Sequence, residues 1–468
     1  MANYFTSLKG FSRPFWVANT VELFERMAYY AIFIVLTLYL SNILGFNDVE
    51  ASMISGLFSG GLYLLPMFSG AYADKIGFRQ SMILAFSLLT VGYLGLGALP
   101  TFLESAGLVN YAGADTQFTG LIESSEKWLI TPILLILMVG GSFIKSIISG
   151  SVARETTPEN RAKGYGIFYM LVNIGAFTGK TVVDPLRTAL GDKGYIWINY
   201  FSATMTCIAL IAIVLFYKST HTEGAGKSMK EIGQGFVRVL SNGRLLTLIL
   251  IVTGFWMVQH QLYATMPKYV IRMAGDAAKP GWIANVNPLV VVLAVGTITQ
   301  MMSKFKALTS IMVGMCLIPI SALLMATGNL LGSATILGMS SITVMMILGI
   351  IVQGLAECFI SPRYLEYFSF QAPKGEEGLY LGFSHLHSFL SSILGFGLSG
   401  FLLMKYCPDP KTFESHEAWA EASAHAHYIW FVFAGVGIVS AIALFIFSHV
   451  TASIDAKKEL TTVEAEGE

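Results

Sequence analysis

Glu22-Leu-Phe-Glu-Arg-Met-Ala-Tyr-Tyr30 sets two carboxylates and a guanidinium inside an apolar run that begins near Phe15 and continues past Leu40. A run of that length spans a bilayer. Each ionisable group at a helix centre costs about 2.5–3.5 kcal/mol on insertion scales, so three together mark a functional wall rather than an accident. Glu22, Glu25, Arg26, Tyr29 and Tyr30 recur at i, i+3, i+4, i+7 and i+8, which is one face of a helix. Glu22 precedes Arg26 by four residues, the favourable order for an intrahelical pair. Phe24, Met27, Ala28 and Ile32 fall to the other faces. The charged face therefore looks into a wet cavity or a protein interior. The competing reading is an ion pair that only locks helices together. A helix lying in the membrane interface is excluded by the length of the apolar flanks.

The rest of the chain agrees with a membrane setting. Of 468 residues, 54% are hydrophobic and only 12% charged, and the mean hydropathy is +0.64. Lys+Arg and Asp+Glu both number 29, so nothing points to nucleic acid as a partner. Cys207, Cys316, Cys358 and Cys407 are scattered, with neither metal spacing nor a disulfide framework. The first apolar run is too long for a cleavable signal. No nucleophile–base pair or metal cluster stands in the apolar runs, so an embedded enzyme is not expected.

Hydropathy predicts an all-α polytopic protein of about twelve spans, near 14–41, 50–72, 81–100, 130–153, 165–189, 196–217, 245–272, 283–303, 308–328, 335–370, 378–404 and 426–449. The polar break 218–244 reads as a linker between a bundle over 1–217 and a second over 245–450, with 451–468 as a tail. Within it, Met229–Leu240 is amphipathic, and the acidic end of the tail, Glu459 to Glu468, is expected to be disordered. Lys and Arg gather in the segments that share a side with both termini, which predicts cytoplasmic termini. Two segments on the opposite side, 101–129 and 405–425, are long enough to form small surface structures.

Further motifs follow in order. Gly70-Ala-Tyr-Ala-Asp-Lys-Ile-Gly-Phe-Arg79 joins the second and third spans, where glycines permit a tight turn and Asp74 and Arg79 can tie helix ends together. Lys145 lies deep in the fourth span after Gly140, costly unless it faces water or an acid. Phe168-Tyr-Met-Leu-Val-Asn-Ile-Gly175 opens the fifth span with Asn173, an amide offering both donor and acceptor. Lys180, Asp184 and Arg187 continue that helix as a charged stripe, in which Lys180 and Asp184 either neutralise each other or line the cavity; the cavity reading is preferred, because Lys180 lies two turns beyond Asn173 on the same face. Phe255-Trp-Met-Val-Gln259-His-Gln261 and Asn287-Pro288 mark the seventh and eighth spans. His260 reads more readily as a packing residue than as a titrating one. In Gly354-Leu-Ala-Glu-Cys-Phe-Ile-Ser361-Pro362, Glu357 is the sole acid from Leu331 to Pro362.

Together these motifs resemble those of the proton-coupled oligopeptide transporters, a branch of the major facilitator superfamily. The first-span stretch is similar to the family's E-x-x-E-R signature, with Met27, Ala31 and Ser146 standing where the family usually has Phe, Gly and Pro. The resemblance implies the major facilitator fold, about twelve transmembrane helices in two six-helix halves. It implies a proton-coupled symporter of di- and tripeptides working by alternating access in the plasma (inner) membrane as a monomer, with no cofactor beyond the coupling proton. Glu22, Glu25, Arg26 and Lys145 would couple the proton. A peptide would meet Arg26, Tyr30 and Lys145 at its carboxylate, and Asn173, Asn287 and Glu357 at its amine. Tyr29, Gln259 and Ser361 would complete the substrate site, to which Lys180, outside the family's pattern, is added by the cavity reading of the fifth-span stripe, while Asp74 and Arg79 would serve gating. The alternatives are a divergent carrier of another anionic or zwitterionic solute and, from another class, a non-transporting membrane receptor.

Overall fold

The computed structural model describes residues 10–112, 114–157, 160–218, 229–332, 334–372 and 377–466; the side chains of Asp74 and Lys145 lie outside the described residues. Among the described residues eleven helices are long and apolar enough to cross a bilayer, and counting the pair Arg13–Phe33 and Leu36–Asn42, meeting at 46°, as one bent span gives twelve. Ser12 caps the first of these by accepting from the Phe15 backbone N–H, and Pro14 supplies a preset φ in the first turn. The break falls just past Tyr30, where Val35 N–H bonds Ile32 O in a tightened turn.

The second span runs Asp48–Leu64 and restarts as Pro66–Ile76, since a proline there cannot donate to the ladder. Phe78–Ser105, Ile130–Arg154, Arg161–Leu190 and Lys193–Phe216 complete the N-terminal half. In the second half the seventh span is broken twice, as Gly243–Gln259, Gln261–Ala264 and Met266–Ala274. The eighth is Pro280–Ala284 followed by Val286–Met302, with Pro288 in the first turn, where its missing N–H leaves no gap. Ala307–Leu330, Ser341–Gln371, Glu377–Ser384 with Leu386–Tyr406, and Tyr428–Glu466 follow. Met229–Ser241 forms the amphipathic helix between the halves.

Within the first half, span one packs on spans five and six, and span three on four and six. Within the second, span nine packs on ten and twelve, eight on ten, and seven on eleven and twelve. The halves meet along two seams, second span against eleventh and fifth against eighth. At the first seam a methyl group on Gly56 would lie 2.9 Å from both Phe396 Cβ and Ser392 O, and one on Gly400 would lie 2.8 Å from Asp48 O. Only hydrogen there lets the two backbones approach so closely. The outward faces carry exposed apolar side chains such as Leu293, Val439 and Phe445, as a lipid solvent requires.

Two expectations change. The tenth span begins at Ser341 rather than 335, because Thr335–Ile336 pairs antiparallel with Met339–Ser340 (Thr335 opposite Ser340) around a turn with Leu337 at φ 52° and Gly338 at φ 76°. Apolar turn residues had merged with the span in the hydropathy pattern. The acidic tail is not irregular: the last helix carries on to Glu466, through residues of good helix propensity. In the 101–129 segment, Val109–Asn110 pairs with Gln117–Phe118 ahead of two short 3-10 turns, and His416–Ser423 forms a helix in 405–425.

Candidate functional site

Arg26 sits between two carboxylates of its own helix, its Nε 3.0 Å from Glu22 Oε1 and 2.5 Å from Glu25 Oε2, with all three residues buried. The guanidinium lies 5.6 Å from the centre of the Tyr29 ring. This face opens on a small cavity of about 90 Å³ lined by Glu25, Arg26, Tyr29, Tyr30, Tyr63 and Tyr93 among others. The fourth-span helix that carries Lys145 packs beside it.

The opposing half brings three spans to one carboxylate. Glu357 Oε2 accepts from Gln259 Nε2 at 2.7 Å and from Asn287 Nδ2 at 3.3 Å. Its neighbours are thus neutral amides, and no cation stands within 4.0 Å of it among the described residues. The Ser361 hydroxyl, one turn further along the tenth span, is buried and makes no hydrogen bond among the described residues. Asn173 turns its amide nitrogen to Tyr169 O of its own helix at 2.8 Å. His260 is buried beside Tyr63 and Trp256, with Nδ1 3.3 Å from Ser391 Oγ.

In the fifth-span stripe the alternative of a mutually neutralising pair is not realised. Lys180 and Asp184 do not form an ion pair; each reaches across the second seam to main-chain groups of 276–285. Asp184 Oδ2 accepts from Trp282 N–H at 2.9 Å, capping the helix Pro280–Ala284. Arg187 donates to Asp276 O at 3.0 Å and to Ala278 O. Asn285 Nδ2 returns the favour to Phe177 O at 3.1 Å and Thr181 Oγ1 at 2.9 Å. Lys180 Nζ donates to Ala284 O at 3.3 Å and stands 5.4 Å and 5.9 Å from the ring centres of Tyr30 and Tyr263.

A second polar region closes the end of the molecule that carries the 101–129 and 405–425 segments. Asp48, at the start of the second span, receives Lys268 Nζ at 2.7 Å and Arg272 Nη1 at 2.7 Å, both from the seventh. Lys268 also donates to Ser41 Oγ at 2.6 Å, and Arg272 to Cys407 O at 2.7 Å. Lys411 bridges back to Asp115 at 3.0 Å and Asp192 at 3.5 Å. Sequence reading passed over Asp48, Lys268 and Arg272, although Lys268 and Arg272 stand one turn apart at the end of an apolar run. At the other end, Arg79 donates to Tyr217 O at 3.1 Å and Val214 O at 3.0 Å, holding the last turn of the sixth span.

Solved structures with the same fold include a POT family transporter in complex with 5-aminolevulinic acid, with TM-score 0.70 and 16% identity over 93% of this chain and 96% of that one. A peptide transporter POT in complex with sulfate gives TM-score 0.70 and 16% identity over 94% and 95%. Among curated relatives, a dipeptide and tripeptide permease A from Erwinia pyrifoliae is 23% identical over 267 residues, 56% of this chain and 48% of the relative. Its namesake from Pectobacterium carotovorum subsp. carotovorum is 22% identical over 276 residues, 57% and 48%. The chain thus spans about half the length of the curated relatives it matches. The family model described as Major Facilitator Superfamily matches residues 20–330, and with the twelve-span fold it identifies this multi-pass membrane protein as a member of that superfamily.

Proposed function

We propose that the protein is a proton-coupled symporter of di- and tripeptides, working by alternating access as a monomer in a bacterial inner membrane with both termini in the cytoplasm. The observation that carries this reading is the division of charge across the midplane. Arg26 with Glu22 and Glu25 faces the cavity from one half, and Glu357, held by two amides, stands in the other. A zwitterion spanning the cavity meets a cation-bearing wall and an acid. The names of the relatives and structural neighbours support the solute class.

A carboxylate pressed against Arg26 is the natural proton carrier, because its charge state follows what its cationic partner binds. One proton moving inward under the membrane potential contributes roughly 2.3 kcal/mol per 100 mV. The closed latch of Asp48, Lys268 and Arg272 then forms the outer gate, and Arg79 stabilises the inner helix ends.

The test uses proteoliposomes with an imposed pH gradient. Dipeptide should accumulate uphill with matching proton uptake. Glu25→Gln should abolish accumulation while counterflow exchange of dipeptide stays measurable. Uphill uptake surviving in the variant removes Glu25 from coupling. A wild-type protein that binds peptide but moves neither peptide nor protons fits the receptor reading instead.

A further inference from the structure

We propose that Lys180, on the fifth span, is the cation that receives the solute's carboxylate. The inference rests on the transport reading above and goes beyond it in naming the anion subsite. Two cations with described side chains border the central region from the first half, and their surroundings differ. Arg26 is held between two carboxylates at 3.0 and 2.5 Å, so its charge is already answered. Lys180 is 1% exposed, and its one hydrogen bond goes to a neutral acceptor, Ala284 O at 3.3 Å. An ammonium has three donors, so two remain for other groups.

Among the described residues no carboxylate lies within the 4.0 Å of an ion pair with Lys180; the acid whose field reaches it is Glu357, in the other half. Asp184, its nearest acidic neighbour in sequence, is committed to Trp282 N–H. Tyr30 and Tyr263 flank the ammonium with their rings, and Tyr30 is also a wall of the cavity beside Arg26. A buried cation facing only a carbonyl and two aromatic faces is an anion site awaiting its anion. Lys180 and Glu357, on opposite halves and more than an ion-pair distance apart, are the two poles between which a solute bearing carboxylate and ammonium fits. Such a solute would also draw the halves together, since each pole belongs to a different one.

The experiment measures binding to purified protein for two matched pairs, a dipeptide against its C-terminal amide and a single amino acid against its amide. Wild-type protein should prefer the carboxylate form by at least about tenfold, the scale of a charge-assisted hydrogen bond. Lys180→Met should erase that preference, and Lys180→Arg should restore part of it. Lys180→Gln keeps a donor for Ala284 O without the charge, so it serves where the Met variant folds poorly and should also lose the preference. An intact preference in the neutral variants overturns the inference and returns the carboxylate to Arg26. Equal weakening of both members of a pair overturns it too, leaving Lys180 a clasp on the eighth span. Preference for the carboxylate only in the single amino-acid pair refutes peptides as the solute while retaining Lys180 as the anion site.

Discussion

The charges at the latch and the pair Lys180 and Glu357 lie on the same two halves yet are answered in opposite ways. At the latch, Asp48 takes two cations at 2.7 Å each, and Lys268 and Arg272 find further acceptors in Ser41 and Cys407. By contrast, Glu357 is met by two neutral amides and Lys180 by a carbonyl. A buried charge answered by opposite charges of the protein is tied to those partners, which at the latch holds surfaces together and at Arg26 links the guanidinium to Glu22 and Glu25. A charge answered by dipoles alone keeps its attraction for a solute of opposite sign. Polar satisfaction therefore separates the latch from Lys180 and Glu357.

The largest effect that sharpens this contrast is expected at the latch. Asp48→Asn leaves the buried Lys268 without the carboxylate it pairs with and Arg272 with only Asp409 at 3.5 Å, a loss of about 3–5 kcal/mol for a broken buried pair. Thermal unfolding in detergent should show a drop of many degrees, while binding of dipeptide per folded molecule stays close to wild type. An unchanged midpoint would mean that the triad is not what holds this end shut.

Glu357→Gln should do the reverse, with a smaller change. Its carboxylate is bonded to Gln259 and Asn287, and an amide keeps part of that network. Unfolding should shift little. Affinity for solutes with a free amine should fall by roughly tenfold or more, the worth of a hydrogen bond to a charged group, against little change for their N-acetylated analogues. Equal losses for both would show that Glu357 is not the amine's partner.

The smallest effect belongs to Lys411. Its side chain is 52% exposed and that of Asp115 77%, so Lys411→Ala should cost only about 0.2–1 kcal/mol and fade with added salt. A loss as large as that of Asp48→Asn would break the ranking of buried over exposed closures.

Much of the architecture could be read before any coordinates were known, because a bilayer writes spans as long apolar runs and charges within them stand out. Glu22, Glu25, Arg26 and Glu357 were visible for that reason, and helix periodicity brought the first three together correctly. Partners on other helices were harder. Lys180 and Asp184 stand four apart and look like a pair, but Pro280 begins a helix whose free N–H groups offer Asp184 a cap across the seam. Asp48 resembles an ordinary first-turn acid beside the capping box of Asn47 and Glu50, and its partners lie 220 and 224 positions away. Nothing local announces a contact of that range.

The latch also has a chemical consequence through Cys407. That residue is fully buried, and its carbonyl is gripped by Arg272. Burial pushes the thiol up to about 12, so almost none of it is thiolate while the latch is shut. Cys316 faces outward and Cys358 is buried next to Glu357. When this end opens and water reaches the Cys407 sulfur, relief of its burial should return it toward ordinary thiol reactivity with a water-soluble maleimide. The molecule carries a native reporter of its own opening, readable as mass added to one peptide without engineering a label.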